Sequence, residues 1–290
     1  KITKKALKSS SLSLNNIDIV ASTAGPGLIG GLLVGLSFAK TLAQVKKIPF
    51  VAVNHLEGHA LTVRLVNDIK FPYLVLLISG GHSNFYFLKN TNKYDFLGGT
   101  LDDAVGEAFD KVGKVLGLKF PGGPEVEKKA LEGDEKAFIF PKPLLRTVHT
   151  DLNLSFSGLK SHVIKLVNSN QNNLLSKSFI EDISASFQKT VSDILVNKLK
   201  RAVKYCNEKF ESYDSVVVTG GVASNSYLRK KFIETIISSN KKPFIPPANL
   251  CTDNGAMIAW AGYERFKLGY SNSLNFKAMP RWPLEKRNAL

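Results

Sequence analysis

An α/β fold is what this amino-acid sequence predicts, and three observations carry that expectation. Short apolar runs alternate with longer segments of helical period along the 290 residues, the pattern of strands joined by helices in parallel or mixed sheets. Glycine turns follow several of the runs directly, as at Gly25-Pro26-Gly27 and Gly80-Gly81. With 44% of residues hydrophobic, the chain can bury one large core or two moderate ones.

In order along the chain, Lys1 to Lys8 reads as helix, so a preceding segment is expected. Ile17 to Ser22 reads as a buried strand, and the glycine turn leads into a helix ending near Lys46. Phe50 to Val53 is a second short strand that opens into a helix at His55. Tyr73 to Ser79 and Phe85 to Leu88 form a hairpin about Gly80-Gly81. Helices are predicted over Leu101 to Leu116 and Glu125 to Leu131, with a proline-rich connection at Phe140 to Pro143. A helix follows Ser157, and Ser178 to Phe210 reads as one long amphipathic helix. Ser215 to Thr219 is a buried strand, followed by a helix from Ala223 and a short strand near Phe244. The last helix is expected from Thr252 to Lys267, and Met279 to Pro283 as an extended tail.

Composition narrows the partners. Cys206 and Cys251 are far apart in sequence, which gives neither a disulfide framework nor a paired-cysteine metal site and suits a reducing compartment. The apolar stretch from Leu28 to Leu42 contains Gly30, Gly31, Gly35 and Lys40 and lacks the unbroken length of a membrane span. Thirty-nine basic residues against 24 acidic ones leave a net charge of +15. A polyanionic partner follows, because clustered cations gain affinity by releasing counterions from phosphates. No sequence signature of a nucleic-acid-binding module sharpens this.

His55-Leu56-Glu57-Gly58-His59 carries the most chemistry. Histidines at i and i+4 lie on one helical face and can reach one transition-metal ion. Either could instead be a satisfied surface or core residue, and tolerance of His59→Ala is expected from a place on the helix surface. The zinc-protease signature places glutamate directly after the first histidine. Glu57 comes two positions on, roughly 200° around the helix at ~100° per residue, and points away from the shared face. A further anionic ligand is needed, and spacing does not locate it.

One device occurs twice: Leu76-Leu77-Ile78-Ser79-Gly80-Gly81 and Val216-Val217-Val218-Thr219-Gly220-Gly221. Paired glycines after an apolar strand let backbone N–H groups approach a phosphate, and the hydroxyl adds a bond. Two such turns suit a nucleotide cleft between two related sheets. Neither the Walker nor the dinucleotide-binding glycine pattern is present.

The ordered motifs are distinctive. They run Thr23-Ala24-Gly25-Pro26-Gly27-Leu28, Asn54 to Ala60, Ile78-Ser79-Gly80-Gly81-His82, Leu101 to Lys111, Pro121-Gly122-Gly123-Pro124, Ser155 to Lys160, Gly220 to Asn225 and Cys251 to Met257. Together they resemble the TsaD family of tRNA threonylcarbamoyladenosine transferases, once labelled O-sialoglycoprotein endopeptidases. The resemblance implies an actin-like, sugar-kinase-like α/β fold of two related domains flanking a cleft. Residues 1–72, completed by about 255–290, would form the first domain, and 73–254 the second, with a helical insertion at about 115–210. It implies transfer of threonylcarbamoyl from threonylcarbamoyl-AMP to N6 of the adenosine beside the anticodon in tRNAs reading ANN codons.

By motif matching, His55, His59 and Asp253 would hold one divalent metal and serve as the catalytic set. Two imidazoles and a carboxylate leave open positions suited to Fe(2+), with Zn(2+) the alternative. Ile78, Ser79, Gly80, Gly81 and His82 would line the substrate site, with Asp110, Gly123 and Asn225 on the adenylate. Glu127 matches a position that is often acidic. A carboxylate at Asp110 can accept from ribose hydroxyls, and Asn225 can donate and accept. Structural roles compete with these: Asp253 as N-cap of the final helix, Asn225 in a turn, and His82 as a purely structural histidine. The family's opening strand and Glu-Thr-Ser-Cys-Asp phosphate loop are not present in this sequence.

The rival readings are a metalloprotease, a serine acyl-enzyme on Ser157-Gly158-Leu159-Lys160, an ATP hydrolase and a non-catalytic ATP-binding subunit of a tRNA-modification complex. Ser157 reads better as a helix N-cap than as a nucleophile, since no companion motif accompanies it. The His pair and Asp253 favour the enzyme over the non-catalytic subunit. Abundant Lys, Asn and Ile and the Ser79 to His82 motif favour a bacterial cytoplasm, with mitochondria second. Expected partners are tRNA and threonylcarbamoyl-AMP. A bacterial member adds a paralogous inactive subunit and a small ATPase, whereas a mitochondrial one forms a homodimer.

Overall fold

The computed structural model describes residues 1–148, 150–169, 176–210 and 212–285. In chain order its elements are α1 (Ile2–Ser9), β1 (Val20–Gly25), α2 (Ile29–Lys46), β2 (Phe50–Asn54), α3 (His55–Val66), β3 (Tyr73–Ile78), β4 (Ser83–Asn90) and β5 (Lys93–Gly99). There follow α4 (Val105–Val115), α5 (Gly122–Ala130), α6 (Ser157–Ser169), α7 (Lys177–Lys209), β6 (Ser215–Thr219), α8 (Ser226–Ser238), β7 (Lys242–Phe244), α9 (Ala248–Cys251) and α10 (Gly255–Lys267). The chain divides into two compact units, residues 1–65 with 254–290 and residues 66–253. Among the described residues no helix is long and apolar enough to cross a membrane.

The first unit rests on β1 and β2, which pair in parallel from Val20 opposite Phe50 to Thr23 opposite Val53. Their link, α2, buries Leu32, Leu36, Ala39 and Ala43, a spacing of four, three and four that keeps one face on the strands. Phe50, Ala52 and Trp282 complete that core. The tail is stitched to β1: Met279 N–H donates to the Ala24 carbonyl at 2.7 Å and Gly27 N–H to that of Pro280 at 3.1 Å. Gly25 permits this passage, since a Cβ there would stand 1.9 Å from the Met279 carbonyl oxygen.

The second unit is built on one mixed sheet in the order β5-β4-β3-β6-β7. Strands β3 to β5 run antiparallel, while β6 and β7 are parallel to β3. The two echoing motifs therefore lie side by side, with Leu76 opposite Val218 and Leu77 opposite Thr219. The expectation that they face each other from two sheets is corrected: they are adjacent strands of one sheet, and both glycine turns leave the same end. Below them a core of Phe85, Phe87, Phe109, Phe156, Phe187 and Phe232 joins the sheet to α4, α6, α7 and α8.

Several boundaries differ from the sequence reading. Strand β1 runs Val20–Gly25 rather than Ile17 to Ser22 and is largely half-buried. Helix α8 begins at Ser226 rather than Ala223, and α10 at Gly255 rather than Thr252, because the Asn225 and Asn254 side chains cap them there. Strand β5 is an addition to the sequence reading, because polar and apolar residues alternate only from Lys93 to Phe96 before Leu97 and two terminal glycines break the pattern, and Phe96 lies half-exposed on it. Helix α4 begins at Val105 rather than Leu101, since the Thr100 hydroxyl donates to the Asp103 carbonyl at 2.7 Å and holds the intervening residues in a bend. Helix α5 begins at Gly122, where the Asp110 carboxylate accepts from its first N–H.

Candidate functional site

In the first unit β2 passes into α3 without a linker, and the buried Asn54 carboxamide oxygen accepts from Leu56 N–H at 2.9 Å. That cap fixes the start of the helix and sets His55 and His59 one turn apart. Their ring centroids are 4.9 Å apart with planes at 86°, and a nitrogen of each lies within 4.8 Å of the other. An ion shared by two imidazoles holds such nitrogens about 3–4 Å apart at Zn–N lengths, and the two rings come close to that spacing. His59 is fully buried, not at a helix surface, and His55 is half-buried. Glu57 is fully buried as well.

Gly58, between the histidines, receives the first turn of α10: a Cβ there would stand 2.8 Å from the Ile258 side chain. That turn is capped by Asn254, whose side chain accepts from Met257 N–H at 2.8 Å. The cap of the final helix is thus Asn254 and not Asp253. Asp253 is the residue immediately before the cap, at the end of the second unit.

The second unit contains a cavity of about 220 Å³. The turns after β3 and β6 supply Gly80 and Gly221 to its wall. In the first turn Ser79 N–H donates to the His82 carbonyl at 2.7 Å, and His82 N–H to the Ser79 hydroxyl at 3.2 Å. Gly220 holds φ at +95°, and a Cβ on it would meet the Ile78 carbonyl oxygen at 2.3 Å, so only glycine serves there. Among the described residues no atom lies within 4 Å of where a Cβ on Gly80 or Gly221 would stand, which leaves room for a ligand against that backbone.

Helix N-termini meet carboxylates around this cavity. Asp110 on α4 accepts from Gly122 N–H at 2.7 Å and Gly123 N–H at 3.4 Å, at the start of α5. Glu127 accepts from the N–H of Ser226 at 2.7 Å and from its hydroxyl, at the start of α8. Asn225 caps α8, its oxygen accepting from Leu228 N–H at 2.9 Å, while its amide donates to Gln188 at 2.7 Å. Asn225 is therefore a buried cap, and what it offers a ligand is its remaining lone pair and second amide hydrogen. Phe109, Pro121, Pro124 and Val222 give the cavity apolar walls, suited to a planar base.

Of the residues expected on the substrate, Gly80, Asp110, Gly123, Glu127 and Asn225 line this cavity. Ile78 does not; it is fully buried in the sheet core. Ser79, Gly81 and His82 form the turn beside it. Phe109, Pro121, Pro124, Ser224 and Thr252 also line it, beyond the residues the sequence singles out. Each lies within one of the ordered motifs, and that membership is the available signal.

Ser157 is not an N-cap. Its hydroxyl bonds the Asp102 carboxylate at 2.7 Å, as does that of Ser155 at 2.6 Å. Asp102 also accepts from Phe156 N–H at 2.8 Å and Ser157 N–H at 3.3 Å. The cap of α6 comes from a different loop, which no local motif announces. Burial pushes the Asp102 carboxyl up, but these hydrogen bonds together outweigh it and hold it below the usual carboxylate range.

Comparison with known proteins agrees with this architecture. Full-length HypF in its phosphate- and nucleotide-bound form superposes with a TM-score of 0.63 at 13% identity, over 92% of this chain and 41% of that one. HypF from T. kodakarensis gives 0.61 at 13% identity, over 90% and 42%. The fold is of the actin-like, sugar-kinase-like class. A family model described as TsaD, tRNA N6-adenosine threonylcarbamoyltransferase, matches residues 1–260. The protein of that name from Ehrlichia canis is 48% identical over 284 residues, 98% of this chain and 80% of the relative. That of Rickettsia bellii is 48% identical over 287 residues, 99% and 83%. That of Wolbachia pipientis is 46% identical over 282 residues, 97% and 82%. The chain belongs to the TsaD family.

Proposed function

We propose that this chain, a transferase by family, moves threonylcarbamoyl from threonylcarbamoyl-AMP to N6 of the adenosine next to the anticodon in tRNAs reading ANN codons. The observation that carries the reading is the second-unit cavity, where glycine backbone, two helix N-termini and the Asp110 carboxylate converge beside apolar walls. Such a cavity suits an adenylate: the open backbone at Gly80 and Gly221 leaves room for its phosphate, and the Asp110 carboxylate oxygen not bonded to Gly122 and Gly123 can accept from its ribose hydroxyls.

In the reaction N6 attacks the carbamoyl carbon, the new C–N bond forms, and the bond from that carbon to the phosphate oxygen breaks. AMP leaves with the electron pair, and N6 gives up a proton. The chain's contribution is to hold the adenylate by its phosphate and ribose and to exclude water with the proline and phenylalanine walls, so that both reactants meet in one orientation. His55, His59 and Asp253 are proposed to hold one divalent metal, Fe(2+) before Zn(2+). A metal so held supplies Lewis acidity toward a carbonyl or phosphate oxygen.

The reading extends to a bacterial cytoplasm, supported by relatives from Ehrlichia and Rickettsia, and to a paralogous inactive subunit and a small ATPase as partners; a mitochondrial homodimer is the alternative. The test is incubation of the protein, with those subunits, with threonylcarbamoyl-AMP and unmodified tRNA, followed by mass analysis of nucleosides. Threonylcarbamoyladenosine at the expected position supports the reading, and its absence overturns it. Elemental analysis of His55→Ala and Asp253→Ala checks the metal separately: each should lose bound metal, and undiminished metal in both sinks the ligand assignment.

A further inference from the structure

Beside the adenylate cavity lies a second hollow of about 260 Å³, and Asp110 belongs to the walls of both. Its rim carries Phe120, 85% exposed, directly before Pro121 of the first cavity. Lys111, Lys114 and Lys119 surround it. Lys111 is held by Asp103 and Glu107 at 2.8 and 2.7 Å. Lys114 and Lys119 are exposed and, among the described residues, pair with no carboxylate. A single exposed phenylalanine is unremarkable on its own. Here it stands between a nucleotide-sized cavity and two uncompensated ammonium groups, the combination of stacking face and cations that takes up single-stranded nucleic acid.

We propose that this hollow receives the tRNA nucleotides flanking the acceptor adenosine, with one base stacked on Phe120 and the neighbouring phosphates against Lys114 and Lys119. The inference rests on the transferase reading and extends it, since it places the RNA strand on a defined surface of the second unit. Every base has a face to stack, so the contact tolerates different neighbours of the modified adenosine. The lysines track the backbone without reading sequence.

The experiment measures transfer by the complete assembly at saturating threonylcarbamoyl-AMP while tRNA is varied. Phe120→Ala should raise KM for tRNA about 5- to 150-fold, the equivalent of the roughly 1–3 kcal/mol of base–aromatic stacking. Phe120→Trp should keep KM near that of the parent, and adenylate affinity by direct titration should be unchanged in both. Replacing Lys114 and Lys119 with alanine should reduce the slope of log affinity against log salt by about 0.7 for each phosphate no longer engaged. An unchanged KM in Phe120→Ala overturns the proposal. So does weakened adenylate binding, which assigns Phe120 to the first cavity, or a loss of rate at every tRNA concentration, which assigns it to a protein partner. If the parent assembly itself makes no product, the transferase reading has failed instead.

Discussion

Gly106 shows how a single residue shapes the cavity. A Cβ there would stand 2.6 Å from the Ser79 carbonyl oxygen and 2.8 Å from the Gly80 Cα. Both are backbone atoms of the turn that supplies Gly80 to the wall, so the turn and not a flexible side chain would have to move. Gly106→Ala is therefore expected to cost about 1–3 kcal/mol, the usual penalty of overpacking, and to weaken adenylate binding by displacing Gly80. A denaturant titration and an adenylate titration of the same variant check this. Parental values in both would mean that the turn yields without consequence. Gly80 offers the contrast, since the space at its Cβ is open, and its substitution should affect ligand more than stability.

Among the elements, α6 illustrates a helix whose start is set from elsewhere in the chain. The Asp102 carboxylate, from the bend before α4, takes the first N–H groups and two hydroxyls at the α6 N-terminus. Removing it in Asp102→Ala should cost about 1–2 kcal/mol, as for loss of a helix cap. The folded-state pKa is lowered, so the contribution is fully present above the unfolded aspartate value of ~3.9 and is lost as pH falls through the lower folded value. The stability gap between parent and variant should thus be constant near neutrality and close only in stronger acid. A gap that closes well above that value contradicts the sign. Helix α7 binds the preceding segment in a similar way, with the fully buried Lys198 donating to the Asp151 carbonyl at 2.8 Å.

At the scale of the molecule, the +15 charge is a prediction about tRNA. Affinity for tRNA should fall steeply with salt, by ~0.7–0.9 log units per phosphate contact per decade. Affinity for the adenylate should change far less, because one phosphate held by fixed backbone replaces many surface pairs. Titrations at two salt concentrations decide it, and a flat tRNA response would make the charge compositional. The first unit also joins distant parts of the chain, for Asn54 donates to the Trp282 carbonyl at 2.9 Å and Arg265 to that of Ala52 at 2.6 Å. Such closures carry a loop-entropy cost that grows with the length of chain they span.

The strands β3 and β6, the long α7, the His55 and His59 spacing and the glycine turns were all legible from residue order. Each rests on a local rule: apolar period, helical phase, or the freedom of glycine. The motif series also carried the family, because motifs are strings. Pairing was not legible. That β3 lies beside β6, that Asn254 rather than Asp253 caps α10, and that Asp102 rather than Ser157 caps α6 depend on which distant groups satisfy a given N–H. The broken alternation of β5 likewise acquires meaning only against β4. Local order sets what each segment prefers, while burial and the completion of hydrogen bonds across the fold decide which partner each polar group takes.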